Sequence, residues 1–345
     1  MNPFTGLKYI PNTKELLDIA FARASKITLP KSRKPPHIRA REKEIAKLTK
    51  VSDILTTRLE EVVKRFPNFD NIHPFYRTLA DTVVAIDDLR QALASVTSAV
   101  RIIRSIINEV NRNLRKSKTP SEARTLRAGA YGRVSSVIRR IDSRLMVIRQ
   151  AALEYRRFPS INLNLPVVVI AGYPNVGKSS LVNLLSSASP EVAEYPFTTK
   201  KISVGHIHLD TAEAQILDVP GLLDRPMDIR NSIEQRAIAA IRYLADVIIF
   251  LIDPTLTCGY PLLNQISLFN EIRRTFSEVE IHPVINKMDI ASTEEVQRAR
   301  NLINGDTIPI ISTLTQEGVE SVFQVLISKS KKISEKLMGL QDPHR

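Results

Sequence analysis

The chain has 345 residues, 43% of them apolar and 25% charged, with a formal net charge of +13 and one cysteine, Cys258. That length exceeds one comfortable core and predicts two domains, while the lack of any run of about eighteen apolar residues excludes a membrane-spanning helix. A lone cysteine rules out an intrachain disulfide or thiolate metal cage; with no signal-peptide pattern at the N-terminus, the expectation is a cytoplasmic protein.

The charge is unevenly placed. Residues 1–160 carry 32 Lys and Arg against 15 Asp and Glu, whereas the remainder carries 17 against 21. A basic half joined to a near-neutral half implies a polyanionic partner, RNA ahead of membrane. In chain order, Leu16, Leu17, Ala20, Phe21 and Ala24 have helical spacing after Thr13. A Pro-containing basic linker from Lys31 follows; residues 31–50 hold eight cations and two acids, compatible with a solvated face or with nucleic-acid contact. Ile45, Leu48, Val51, Leu55 and Leu59 mark the next helix, and Arg65–Tyr76 is turn-rich and aromatic.

A long helix is expected from about Arg77 to Leu114, because Leu79, Val83, Ile86, Leu89, Leu93 and their successors sustain a three–four spacing. The stretch Lys116–Glu122 breaks it. Thr119 and Glu122 form a capping-box pattern with Pro120 at the first helical position, and a second long helix runs to about Phe158. Two long helices joined by a short loop make an antiparallel hairpin, so residues 1–160 read as an all-α bundle. Residues 101–157 carry fifteen Lys and Arg but four acids, an imbalance that favours phosphate contact. Arg112, Arg115, Lys116, Lys118, Arg139 and Arg140 are the candidate RNA-binding residues.

From Pro166 strands alternate with helices, which predicts an α/β domain, a mostly parallel sheet flanked by helices, over 161–338, with a frayed tail at 339–345. Strands are expected near 166–171, 202–209, 214–218, 247–252, 281–286 and 308–312, and helices near 178–187, 230–244, 260–276, 293–303 and 316–335. The first strand runs into Gly172-Tyr173-Pro174-Asn175-Val176-Gly177-Lys178-Ser179-Ser180, a phosphate-binding loop. The glycines let backbone N–H groups converge on an anion, Lys178 reaches the terminal phosphates, and the Ser179 hydroxyl can ligate magnesium. Asp218, at a strand end, can hold magnesium through water, and Gly221 can present its N–H to a γ-phosphate. Asn286-Lys287-Met288-Asp289 places a carboxylate suited to the two N–H donors of the guanine edge, which adenine lacks. Ser312, Thr313 and Leu314 can bring a backbone N–H to the guanine oxygen. Thr198 and Thr199 lie in the loop before the second strand, where a threonine hydroxyl can complete the magnesium shell under triphosphate. GTP is the implied substrate.

His206 and His208 share a strand face without carboxylate or thiolate company, so no metal centre is expected there. Asp253-Pro254 and Cys258 read as structural. Leu222 follows Gly221 where many GTPases place a water-orienting Gln, so unaided hydrolysis is expected to be slow. Lys178, Thr199, Gly221 and Asn175 are the candidate catalytic group.

The nucleotide half resembles GTPases of the Obg-related branch of the translation-factor class, through Gly172–Ser179 and Tyr195-Pro-Phe-Thr-Thr. The whole chain is similar to the nucleolar GTP-binding protein 1 family, through Phe66-Pro-Asn-Phe-Asp, Pro74-Phe-Tyr-Arg-Thr-Leu-Ala-Asp, Ala130-Tyr-Gly-Arg-Val-Ser-Ser-Val-Ile and Gly221-Leu-Leu-Asp-Arg-Pro. The resemblance implies a role in large-subunit assembly, with large-subunit rRNA, the ribosomal precursor particle and ribosomal or assembly proteins as partners, and a monomer without membrane attachment. The long C-terminal extension of eukaryotic members is absent from this chain, which implies a prokaryotic, archaeal version. Asn175 occupies the position that potassium-activated relatives use as a cation ligand; it could equally serve only to stabilise the turn. Two other readings stay open: an RNA-binding assembly factor with nucleotide as a structural ligand, and a GTPase whose basic helices meet anionic lipid.

Overall fold

The computed structural model describes residues 1–30, 33–195, 201–209, 212–226, 229–304 and 308–328. Thr198, Thr199, the last part of the expected helix 316–335 and the expected tail 339–345 lie outside them. The chain gathers into two units, residues 3–72 with 83–156, and residues 1–2 with 73–82 and 157 onward.

Helix α1 (Thr13–Ser25) begins at a reciprocal capping box in which Asn12 and Glu15 each accept the other's backbone N–H. Helix α2 (Pro36–Arg65) has Pro at its first position and buries Leu48, Val51, Leu55 and Leu59. Helix α3 (Pro74–Val83) packs, over residues 74–82, within the second unit. There the Tyr76 hydroxyl donates to Pro159 O at 2.9 Å and accepts from Ile161 N–H at 3.0 Å. Burial pushes the Tyr76 phenol up to about 12, so it stays a neutral bridge. Helices α4 (Ile86–Lys116), α5 (Pro120–Arg140) and α6 (Asp142–Tyr155) complete the first unit.

Each of the two long helices expected from sequence is therefore two helices. The break before α4 needs only Ala85 at ψ 125°, and the acids Asp87 and Asp88 then sit in a new first turn, where the helix dipole favours them. Tyr155 donates its hydroxyl to the Val84 carbonyl at this break. At Ile141 the backbone turns to φ −94°, ψ 8°, and Asp142 opens α6. The apolar rhythm passes through both breaks in phase, which is why periodicity alone reads straight across them. Thr119 caps α5 as expected, accepting from Glu122 N–H, but the Glu122 carboxylate accepts from Lys118 N–H instead of closing the box on Thr119. Inside the unit, Glu44 of α2 is buried and paired with Arg127 of α5, whose guanidinium also lies 4.9 Å from the Tyr131 ring centre.

The second unit contains β1 (Val167–Ala171), α7 (Lys178–Leu185), β2 (Glu191–Ala193), β3 (Ile202–Leu209), β4 (Ala212–Asp218), α8 (Ser232–Ile241), β5 (Val247–Ile252), α9 (Leu262–Thr275), β6 (Glu280–Ile285), α10 (Thr293–Ile303) and α11 (Glu320–Ser328). The sheet order is β2-β3-β4-β1-β5-β6. Strands β4, β1, β5 and β6 run parallel, while β3 is antiparallel to β2 and β4. Strands β1 and β5 are buried throughout, as apolar runs at the centre of such a sheet must be. The expected strand at 308–312 is reduced to a single bridge between Ile285 and Ile310. Pro309 has no N–H to give a longer ladder. Strand β2 was not expected; it has three residues and is largely exposed, so it leaves no apolar signature.

Candidate nucleotide-binding site

The parallel strands deliver their C-terminal loops to one edge of the sheet, the usual place for a ligand in such folds. The loop 172–177 leaves β1 and enters α7. Gly172 (φ 131°) and Gly177 (φ 102°) both lie in the left-handed half of the map. A Cβ on Gly172 would stand 2.5 Å from Leu251 O, so this glycine is required for clearance as well as conformation. Asn175 is also left-handed at φ 62°, a conformation asparagine tolerates, and its side chain is exposed. Tyr173 is buried with its ring centre 4.4 Å from that of Tyr260, Val176 is fully buried, and Pro174 is half-buried. The Lys178 ammonium donates to Gly172 O at 2.9 Å and Tyr173 O at 2.8 Å, so the charge is held across the loop. Ser179 and Ser180 open α7 with exposed side chains.

The two described metal candidates come together. Ser179 Oγ donates to Asp218 Oδ2 at 2.5 Å, placing a hydroxyl and a carboxylate, both hard oxygen donors, at the ends of α7 and β4. That donor pair fits magnesium. Thr199 lies outside the described residues.

The candidate base-reading residues are organised by Asn286, which is fully buried. Its Nδ2 donates to Val176 O at 2.8 Å and Thr313 Oγ1 at 3.0 Å, and its Oδ1 accepts from Thr313 N–H at 2.9 Å. Asn286 thus braces the phosphate loop against the loop after β6 and the 312–314 loop. The exposed Asp289 accepts from Ser312 Oγ at 2.6 Å, which fixes one carboxylate oxygen. Leu314 N–H reaches Ser312 Oγ at 3.2 Å, and the Leu314 side chain is exposed.

Lys287 (φ 67°) points its ammonium back into the protein, to Asp253 Oδ2 at 2.7 Å and Thr257 Oγ1 at 2.8 Å. Asp253 also accepts from the Thr255 hydroxyl and from the N–H groups of Thr255 and Cys258. Burial alone would raise the Asp253 pKa, but the bonds from Lys287 and Thr255 outweigh it and hold the carboxyl below its ordinary value. Asp253 is therefore tied, through Lys287, to the candidate base-reading residues. In the sequence it is a lone Asp-Pro at a strand end, and only the position of Lys287 in space gives it a role.

The loop after β4 holds a second pair to which the sequence assigns no role. Gly221 N–H donates to Asp224 Oδ2 at 2.8 Å. Arg230, its side chain fully buried, donates to Gly221 O and Arg225 O, each at 2.8 Å. Leu222 and Leu223 are buried, and Leu223 O accepts from Gly172 N–H at 3.1 Å, which ties this loop to the phosphate loop.

The candidate RNA residues form two groups. Arg112, Arg115, Lys116 and Lys118 are exposed at the hairpin turn; Arg139 and Arg140 are exposed at the far end of α5, about 30 Å along the helix at 1.5 Å per residue. Neighbouring cations are engaged otherwise: Arg104 pairs with Glu60 and Arg133 with Glu109. None of the six candidates forms an ion pair among the described residues.

Residues 4–162 match the family model for the NOG1 N-terminal helical domain, and residues 232–289 match that for nucleolar GTP-binding protein 1 (NOG1). An uncharacterized protein of Methanocaldococcus jannaschii is 37% identical over 298 residues, covering 86% of this chain and 83% of its own. Nucleolar GTP-binding protein 1 of Arabidopsis thaliana is 32% identical over 92% of this chain and 50% of its own length; that of Saccharomyces cerevisiae is 30% identical over 94% and 50%. The chain thus spans about half the length of these eukaryotic relatives. Among solved structures, a nucleolar GTP-binding protein 1 from Plasmodium falciparum is 34% identical, covering 54% of this chain and 95% of that one, with a TM-score of 0.44. The G domain of the Thermotoga maritima FeoB iron transporter is 22% identical, covering 50% and 99%, with a TM-score of 0.38.

Proposed function

The chain belongs to the nucleolar GTP-binding protein 1 family, and we propose that it is a GTP-hydrolysing switch that acts in assembly of the large ribosomal subunit. It docks on large-subunit rRNA, within the precursor particle, through its basic helical unit, and works as a cytoplasmic monomer. The observation that carries the nucleotide half of this reading is the Asn286 brace, which holds the phosphate loop and both base-reading loops in one site. Support for the ribosomal half comes from the nucleolar relatives and from the concentration of charge in residues 1–160.

Each residue has a task in this scheme. The N–H groups of 172–177 and the Lys178 ammonium bind and orient the phosphates. Ser179 and Asp218, with Thr199, would hold magnesium, which neutralises phosphate charge when bound. Asp289 accepts the two guanine N–H donors, steadied by Ser312. Losing that acceptor leaves a donor unpaired, so Asp289→Asn should weaken GTP binding by about 1–3 kcal/mol, roughly fivefold to 150-fold. Titration calorimetry with GTP and ATP on wild type and variant checks this; equal wild-type affinity for the two nucleotides removes the assignment.

Leu222 is buried and has no group to orient water, so turnover without a partner should be about 10⁻² s⁻¹ or less. Asn175, exposed on the phosphate loop, is our candidate potassium ligand. Potassium should then accelerate phosphate release over sodium, and Asn175→Ala should abolish the difference. Equal rates in the two salts for the wild type would discard the cation.

A further inference from the structure

The Gly221 amide is the donor that the sequence offers to the γ-phosphate of GTP, and in this structure it is already donating to a carboxylate. Asp224 Oδ2 accepts it at 2.8 Å. Asp224 is only 5% exposed, so its charge is largely desolvated and depends on the groups around it. Behind it stands Arg230, with Nη2 3.8 Å from Asp224 Oδ1 and both terminal nitrogens bonded to backbone carbonyls of Gly221 and Arg225. The arginine therefore braces the loop whether or not Asp224 keeps the amide. On the other side Gly221, at φ 85°, has open space where a Cβ would be, so a ligand oxygen can approach its backbone.

We propose that the Asp224 carboxylate is a built-in competitor for the terminal phosphate of GTP at the Gly221 N–H, and that it thereby sets the preference of the site for GDP or GTP. The proposal rests on the guanine-nucleotide reading above. One N–H donates strongly to one anionic oxygen at a time, so a γ-phosphate must displace the carboxylate, while GDP has no oxygen to offer there. The contact thus weakens triphosphate binding and leaves diphosphate binding alone. Arg230 gives the displaced carboxylate a neighbouring positive charge, which keeps the exchange affordable in a buried setting.

Dissociation constants of the full-length chain for GDP and for a non-hydrolysable GTP analogue test this. An amide acceptor lacks the charge that roughly doubles such a bond, so Asp224→Asn should tighten the analogue by about tenfold and leave GDP within about twofold. Asp224→Glu keeps the charge and should hold the wild-type ratio, a result a shape-only role would not give. Three results would overturn the proposal: both nucleotides changing in parallel, an unchanged or weakened analogue in Asp224→Asn, or the same ratio in the Asn and Glu variants. Wild-type protein that binds neither guanine nucleotide would remove the underlying reading, and the proposal with it.

Discussion

Gly177→Ala is expected to lower guanine-nucleotide affinity by at least a hundredfold. A Cβ at this position would lie 2.2 Å from Asn286 Nδ2 and 3.1 Å from Thr313 Oγ1. Asn286 cannot simply swing away, because it is fully buried and holds three bonds, to Val176 O, Thr313 Oγ1 and Thr313 N–H. Moving it forfeits those bonds, each worth about 1 kcal/mol net, and leaves buried polar atoms unpaired. The left-handed backbone at φ 102° adds about 1–2 kcal/mol of strain for any residue with a Cβ. Together these amount to about 3–5 kcal/mol, and they fall on the junction of the phosphate and base loops. Gly221→Ala is the contrast: it meets no atom within 4 Å and carries only the strain at φ 85°. Nucleotide titration with thermal unfolding of both variants checks the ordering. Gly177→Ala binding GDP within about fivefold of wild type would show that the brace is not what holds the site.

The parts of this molecule that were legible in the sequence are those written in consecutive residues. Five apolar residues followed by a glycine loop, lysine and serine specify β1, the phosphate loop and α7 without outside help. The pairing of Ser179 with Asp218, and of Asp289 with Ser312, follows from the order of the motifs along parallel strands. What escaped depends on contacts across the fold. Asp253 gains its role only because Lys287, 34 residues on, turns its ammonium inward. Asp224 and Arg230 gain theirs because both side chains come back to the Gly221 backbone. The breaks at Ala85 and Ile141 escaped for the opposite reason: one backbone angle changes while the apolar spacing continues unchanged. Glu44, one of the two acids in the basic stretch 31–50, is buried against Arg127, and no local pattern announces it.

Reversing Arg112, Arg115, Lys116 and Lys118 to Glu together should abolish RNA binding by the chain while leaving GTP affinity intact. These four cations crowd the hairpin turn, are exposed, and form no ion pairs among the described residues, so their charge is available to a phosphate backbone. The nearby Arg104, Arg127 and Arg133 already hold Glu60, Glu44 and Glu109, and are expected to contribute less. Each phosphate met by a cation releases condensed counterions, so affinity should fall with salt. Contact with about five to eight phosphates gives a log–log slope of roughly −4 to −7. Arg139 and Arg140 sit about 30 Å from the turn, too far to share one phosphate cluster with it, so reversing that pair alone should reduce the slope by about two units and leave binding measurable. Shape and backbone should dominate over base sequence, because a structured RNA helix hides its major-groove edges. Filter binding of large-subunit rRNA fragments across a salt series, with and without GTP, reads all of these effects. A fourfold-reversed variant that binds RNA with an unchanged slope would move the RNA surface away from the hairpin.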